Sequence, residues 1–108
     1  MGLSIGVDIG GTKILAGAVT EDGEIVKTAR RDTPHSDATA VLDLVAEVVT
    51  ELARAVDAPI DGVGLGVAGP VDASRSHVYF APNLRWSQVP ARALLEAATG
   101  LPVVVEND

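Results

Sequence analysis

Apolar and polar positions alternate from the start of the chain. Leu3, Ile5, Val7 and Ile9 fall on one side of an extended backbone, and Ser4, Gly6 and Asp8 on the other. That two-residue period predicts a half-buried strand. Gly10 and Gly11 follow as a tight-turn signal, because glycine accepts positive φ without steric cost. Residues 14–20 read as the returning strand. A second turn, Glu21-Asp22-Gly23-Glu24, is marked by its Asp-Gly pair. Residues 25–31 read as a third strand that ends in Arg30 and Arg31. Three strands joined by short turns predict an antiparallel meander.

The period then changes. Val41, Val45, Val48, Leu52 and Val56 recur at helical spacing, widened by Leu44 and Val49, with Asp43, Glu47, Glu51 and Arg54 on the polar side. This predicts a helix over 37–56, capped by Ser36 or Asp37, packed on the sheet through its apolar stripe and ended by Ala58-Pro59. Residues 60–67 read as a fourth strand, 71–76 as a loop and 77–81 as a short strand. A short helix is predicted over 90–99, with Pro90 in its first turn and Gly100 as its C-terminal cap. The continuous apolar run in 101–106 suits a strand buried on both faces in a parallel pairing. The pattern predicts an α/β fold: a mixed five-stranded sheet, three antiparallel strands and two parallel additions, with helices packed on it.

Composition narrows the classes of function. The 108 residues suffice for one domain with one modest core, and 47% hydrophobic content predicts a folded chain. A formal net charge of −7 argues against sequence-independent binding to nucleic acid or to anionic membranes, which need clustered Lys and Arg. The absence of cysteine removes disulfides and thiolate metal sites, and fits a reducing compartment. The start lacks a basic region followed by an apolar run and a cleavage site, so no signal peptide is expected. No apolar run is long enough to span a bilayer.

Candidate chemistry gathers at the first turn. Bare glycine backbone at Gly10 and Gly11 lets amide N–H groups approach an anion. Thr12 adds a hydroxyl, Lys13 a positive charge, and Asp8 a carboxylate suited to a magnesium shell. The same tip also reads as an ordinary hairpin with a polar turn. The run from Gly64 to Gly69 satisfies G-x-G-x-x-G, but Pro70-Val71-Asp72 follows instead of a helix, and no acidic residue stands about 20 positions on. A dinucleotide site is therefore rejected; the glycines let another backbone, or a sugar, come close to the strand. All three aromatics, Tyr79, Phe80 and Trp86, lie around Ala81-Pro82-Asn83-Leu84. They read as core filling or, beside Asn83, as sugar recognition. His35 and His77 read as exposed positions.

Four ordered segments resemble one family. Asp8-Ile9-Gly10-Gly11-Thr12-Lys13 is similar to the first phosphate motif of the ROK sugar kinases, within the actin-like ATPase superfamily. The segments 66–72, Tyr79-Phe80-Ala81-Pro82-Asn83-Leu84 with Trp86, and Leu101 through Glu106-Asn107-Asp108 follow in family order. The match covers the whole chain and resembles the N-terminal lobe of an actinobacterial-type glucokinase. It implies a ribonuclease H-like lobe at 1–108, with ATP and magnesium as cofactors and a hexose, glucose foremost, as substrate. It further implies a cytoplasmic location, and a homo-oligomer in the complete protein.

The resemblance also implies roles. The aspartate matching Asp108 is the general base for the sugar 6-hydroxyl. Asn107 hydrogen-bonds neighbouring sugar hydroxyls, and Asn83 and the Gly69 backbone line the sugar site. Gly10, Gly11, Thr12 and Lys13 approach the ATP phosphates, and Asp8 helps to hold magnesium. In a regular strand Asn107 and Asp108 point to opposite faces, so both meet one sugar only if the strand ends there. Arg85 stands where many relatives have glycine. Family members continue with a cysteine-rich zinc motif, further Glu and His sugar contacts and an adenine-holding lobe. Residues 1–108 alone are thus expected to have no measurable sugar kinase activity. Other readings are a kinase for fructose, mannose or N-acetylglucosamine, a sugar-sensing repressor, or a non-catalytic binding module.

Overall fold

The computed structural model describes residues 2–10, 12–34, 38–67, 78–81, 86–89 and 91–107. Strands β1 (Leu3–Ile9), β2 (Lys13–Val19) and β3 (Ile25–Asp32) form the expected meander. Helix α1 (Ala38–Ala55) leads to β4 (Ile60–Val67). A short antiparallel ribbon, β5 (Val78–Ala81) and β6 (Trp86–Val89), is followed by α2 (Ala91–Thr99) and β7 (Val103–Asn107). The main sheet has the order β3-β2-β1-β4-β7. Its first three strands are antiparallel, and β1, β4 and β7 run parallel, as the pattern predicts. This mixed sheet with helices is that of an actin-like ATPase lobe.

The alternation sets which face is buried. Ile5, Val7 and Ile9 of β1, Ile14 and Ala16 of β2, Val63, Leu65 and Val67 of β4, and Val103 and Val105 of β7 all point to one side. There they meet Val41, Val45, Val48, Val49 and Leu52 of α1 and Leu95 of α2 in one apolar core. Burying a Val, Leu or Ile side chain is worth about 1.5–3 kcal/mol, so this interface is the main stabilising term. Helix α2 ends as its Gly100 predicts: φ is 72°, and the Gly100 amide donates to the Glu96 carbonyl at 2.8 Å, a left-handed cap. The Glu96 carboxylate then accepts from the Val103 amide at 3.0 Å and ties the helix to β7.

Two expectations are corrected. β7 pairs in parallel with β4 but is buried on one face only: Val104 is 46% exposed between buried Val103 and Val105. It is an edge strand whose outer side no described element covers, so an apolar run did not imply two-sided burial. The second correction is β6: Trp86-Ser87-Gln88-Val89 forms a strand although its apolar residues stand at the two ends and do not alternate with the polar ones. Among the described residues, no helix is long and apolar enough to cross a membrane.

Candidate phosphate-loop site

The parallel strands bring their carboxyl ends to one edge. Ile9 is in register with Val67, and Val67 with Asn107. At about 4.8 Å between strands, the backbones of Ile9 and Asn107 lie about 10 Å apart. Open α/β sheets bind ligands beyond this kind of edge. The β1–β2 turn leaves the sheet at the same edge.

That turn is closed tightly. The Gly10 amide donates to the Lys13 carbonyl at 2.9 Å. A Cβ on Gly10 would lie 3.1 Å from the same carbonyl oxygen, so the closure leaves little room for a side chain. The end of β3 braces the turn from outside. Thr33 donates its hydroxyl to the Gly10 carbonyl at 2.8 Å and its amide to the Thr12 carbonyl at 2.9 Å. The Lys13 ammonium pairs with the Asp32 carboxylate. The hydrogen bond from Lys13, and then its charge, hold the Asp32 carboxyl below its ordinary pKa, with a smaller contribution from Arg30. Both partners are substantially exposed, so the pair positions Lys13 more than it stabilises the fold. Next to Asp32 on β3, Arg31 pairs with Glu51 and fastens the strand to α1.

Asp8 lies on the exposed side of β1, one residue before the last of the strand, in register with Leu15 and Gly66. The structure thus brings Asp8, Gly10, Thr12, Lys13 and the backbone of Asn107 to one edge. Gly11, Gly69, Asn83 and Asp108, the other residues implied for the site, lie outside the described residues. Asp32 and Thr33 escape the sequence reading because it ends the third strand at Arg31, before either of them, whereas β3 runs through Asp32. The usable signal was register: continuing the meander pairing beyond Lys13 and Asp32 sets Thr12 opposite Thr33.

Two glycines of the rejected dinucleotide motif, Gly64 and Gly66, sit inside β4; the third, Gly69, lies outside the described residues. The close backbone approach falls at Gly62, which precedes that motif: an added Cβ there would lie 3.2 Å from the Pro102 carbonyl oxygen. Gly64 differs. With Gly6 and Gly17 it forms a row across three strands on the outer face of the sheet. The row floors a shallow trough of about 820 Å³ bordered by Asp8, Leu15, Thr28 and Arg30. An added Cβ at Gly6 or Gly64 would meet nothing within 4 Å.

A model of the ROK family matches residues 4–108. The chain is 55% identical to a glucokinase of Streptomyces coelicolor over all 108 residues, which cover 33% of that protein. It is 40% identical to a glucokinase of Thermotoga maritima over 106 residues, 96% of this chain and 33% of that one. Its fold superposes with a TM-score of 0.91 on a ROK family glucokinase from Streptomyces griseus, solved in complex with glucose and AMPPNP. The two share 45% identity, over 98% of this chain and 33% of that one. The chain spans about a third of the length of these relatives.

Proposed function

The chain belongs to the ROK family, and from that premise we propose that it forms the phosphate-binding lobe of an ATP-dependent hexose kinase acting on glucose. The observation that carries this reading is the braced 10–13 turn, set beside Asn107 at the carboxyl edge of the parallel strands. Its similarity to a glucokinase that binds glucose and AMPPNP supports the same reading.

Phosphoryl transfer depends mainly on positioning and on neutralising charge at the phosphates. In this proposal the turn and Lys13 receive the ATP phosphates. Asn107, Asn83 and the Gly69 backbone orient the sugar. Asp108 takes the proton of the 6-hydroxyl while that oxygen bonds the γ-phosphorus, and the bond from phosphorus to the ADP oxygen breaks. Magnesium typically takes one or two carboxylates and completes its shell with phosphate oxygens and water. Asp8, an exposed carboxylate beside the turn, fits that requirement; the ion would supply further charge neutralisation.

The test uses the complete polypeptide carrying residues 1–108. ADP release is followed with glucose, fructose, mannose and N-acetylglucosamine, and turnover should be fastest with glucose. Asp108→Asn should lower kcat by about a hundredfold or more, the scale of general-base catalysis. Residues 1–108 alone should show no turnover. Turnover by the Asp108→Asn protein at the wild-type rate would refute the base assignment, and a wild type inert toward every hexose would refute the kinase reading.

A further inference from the structure

The hairpin tip is held by a residue with no role in the reading above. Thr33, 3% exposed, is the one buried polar residue among those described. It lies just past the end of β3, and both of its donors are spent on the turn. Its hydroxyl reaches the Gly10 carbonyl at 2.8 Å and its amide the Thr12 carbonyl at 2.9 Å. A loop that receives phosphate must present N–H groups and keep carbonyl oxygens away, because those oxygens carry partial negative charge and repel the anion. Thr33 engages two carbonyl oxygens of the turn at once and draws them toward β3. Thr33 itself is buried, while Gly10 is half-buried and Thr12 exposed, and a polar group left unpaired at a buried position is costly. The neighbouring Asp32 pairs with the Lys13 ammonium, so two consecutive residues fix both the backbone and the charge of the tip.

We infer that Thr33 is a positioning residue for the nucleotide phosphates, holding the Gly10 and Thr12 carbonyls averted from the ligand. The inference rests on the reading of this turn as the phosphate loop. A purely structural role predicts something else: loss of the hydroxyl would lower stability and leave the preference between substrates untouched.

The experiment compares Thr33→Val, which keeps the shape without the hydroxyl, and Thr33→Ser, which keeps the hydroxyl, in the complete polypeptide carrying residues 1–108. For Thr33→Val the KM for ATP should rise about tenfold, the change that 1.4 kcal/mol produces. The KM for glucose should stay within about twofold, the split that marks a nucleotide-specific effect. Thr33→Ser should restore the ATP value to within about threefold of wild type, since its hydroxyl makes the same bond. An unchanged KM for ATP, equal rises for both substrates, or a Thr33→Ser protein as impaired as Thr33→Val overturns the inference. Should Thr33→Val fail to fold, Thr33→Cys, with only a weak donor, is read by the same criteria. If the wild type phosphorylates no hexose, the kinase reading fails by itself. Amide hydrogen exchange of the free protein then decides. Exchange at Gly10 about tenfold faster in Thr33→Val supports a held turn, because weaker bracing opens it more often. Unchanged exchange refutes it.

Discussion

Replacing Gly64 with alanine should stabilise residues 1–108. Gly64 lies in the interior of β4, between Val63 and Leu65, which are buried beneath it. Glycine there costs about 0.5–1 kcal/mol relative to alanine, because the unfolded chain has more freedom to lose. In most strands that gain is cancelled by crowding. Here an added Cβ meets nothing within 4 Å. The full gain should therefore appear, as a rise in the unfolding temperature of roughly 2–8 °C for a domain of this size. Gly62 and Gly100 are internal controls. At Gly62 the new methyl would sit 3.2 Å from the Pro102 carbonyl oxygen. That oxygen is held in place by the Val63 amide at 2.8 Å, so Gly62→Ala should lose the benefit or destabilise. At Gly100 φ is 72°, and Gly100→Ala should cost about 1 kcal/mol or more. Urea unfolding followed by far-ultraviolet circular dichroism reads all three, with equal m-values required for the comparison. A destabilising Gly64→Ala at unchanged m would refute the reasoning: it would mean that the outer face of the sheet is occupied in solution.

Two further perturbations test the core and the charge at the turn. Leu65, 0% exposed in β4, should cost about 2–5 kcal/mol when cut to alanine, measured by the same urea midpoint; a loss near zero would mean the core is not packed as described. Asp32 has a folded pKa below its ordinary value of 3.8, held there by Lys13. A depressed carboxylate stabilises above its unfolded pKa, and that contribution is lost as pH falls through the folded one. Asp32→Asn should therefore remove part of the stability loss seen on acidification below about pH 4, with little change at pH 7 in 1 M salt, where such an exposed pair is screened. Identical acid profiles for the two proteins would show that the pair does not form.

Much of this fold is visible in residue periods because each buried face is made by the chain's own alternation. The two-residue period of Ile5, Val7 and Ile9 and the helical spacing of Val41, Val45, Val48 and Leu52 each describe a side that must meet the other. Where burial depends on position in the sheet, the period is silent. Val103, Val104 and Val105 look alike in sequence, yet only the middle one is exposed, because no described element covers the outer face of the sheet. β6 was overlooked for a related reason: four residues are too few to distinguish a strand from a loop. At the site, Asp8, Gly10, Thr12 and Lys13 are close in sequence and were found together. Asp32 and Thr33 reach the turn only through strand register, and no local motif marks them.

The meander also has a consequence for the order in which the protein assembles. Every described brace of the 10–13 turn comes from residues within the first 33, through contacts no farther apart than Gly10 and Thr33. The parallel pairing of β1 with β4 joins residues more than twice as distant along the chain, and waits on α1 between them. Contacts close in sequence lose less loop entropy and form first. The hairpin tip is therefore shaped by the earliest-forming part of the lobe. Substitutions in β4, α2 or β7 should slow or weaken closure of the sheet while leaving that tip's local geometry intact.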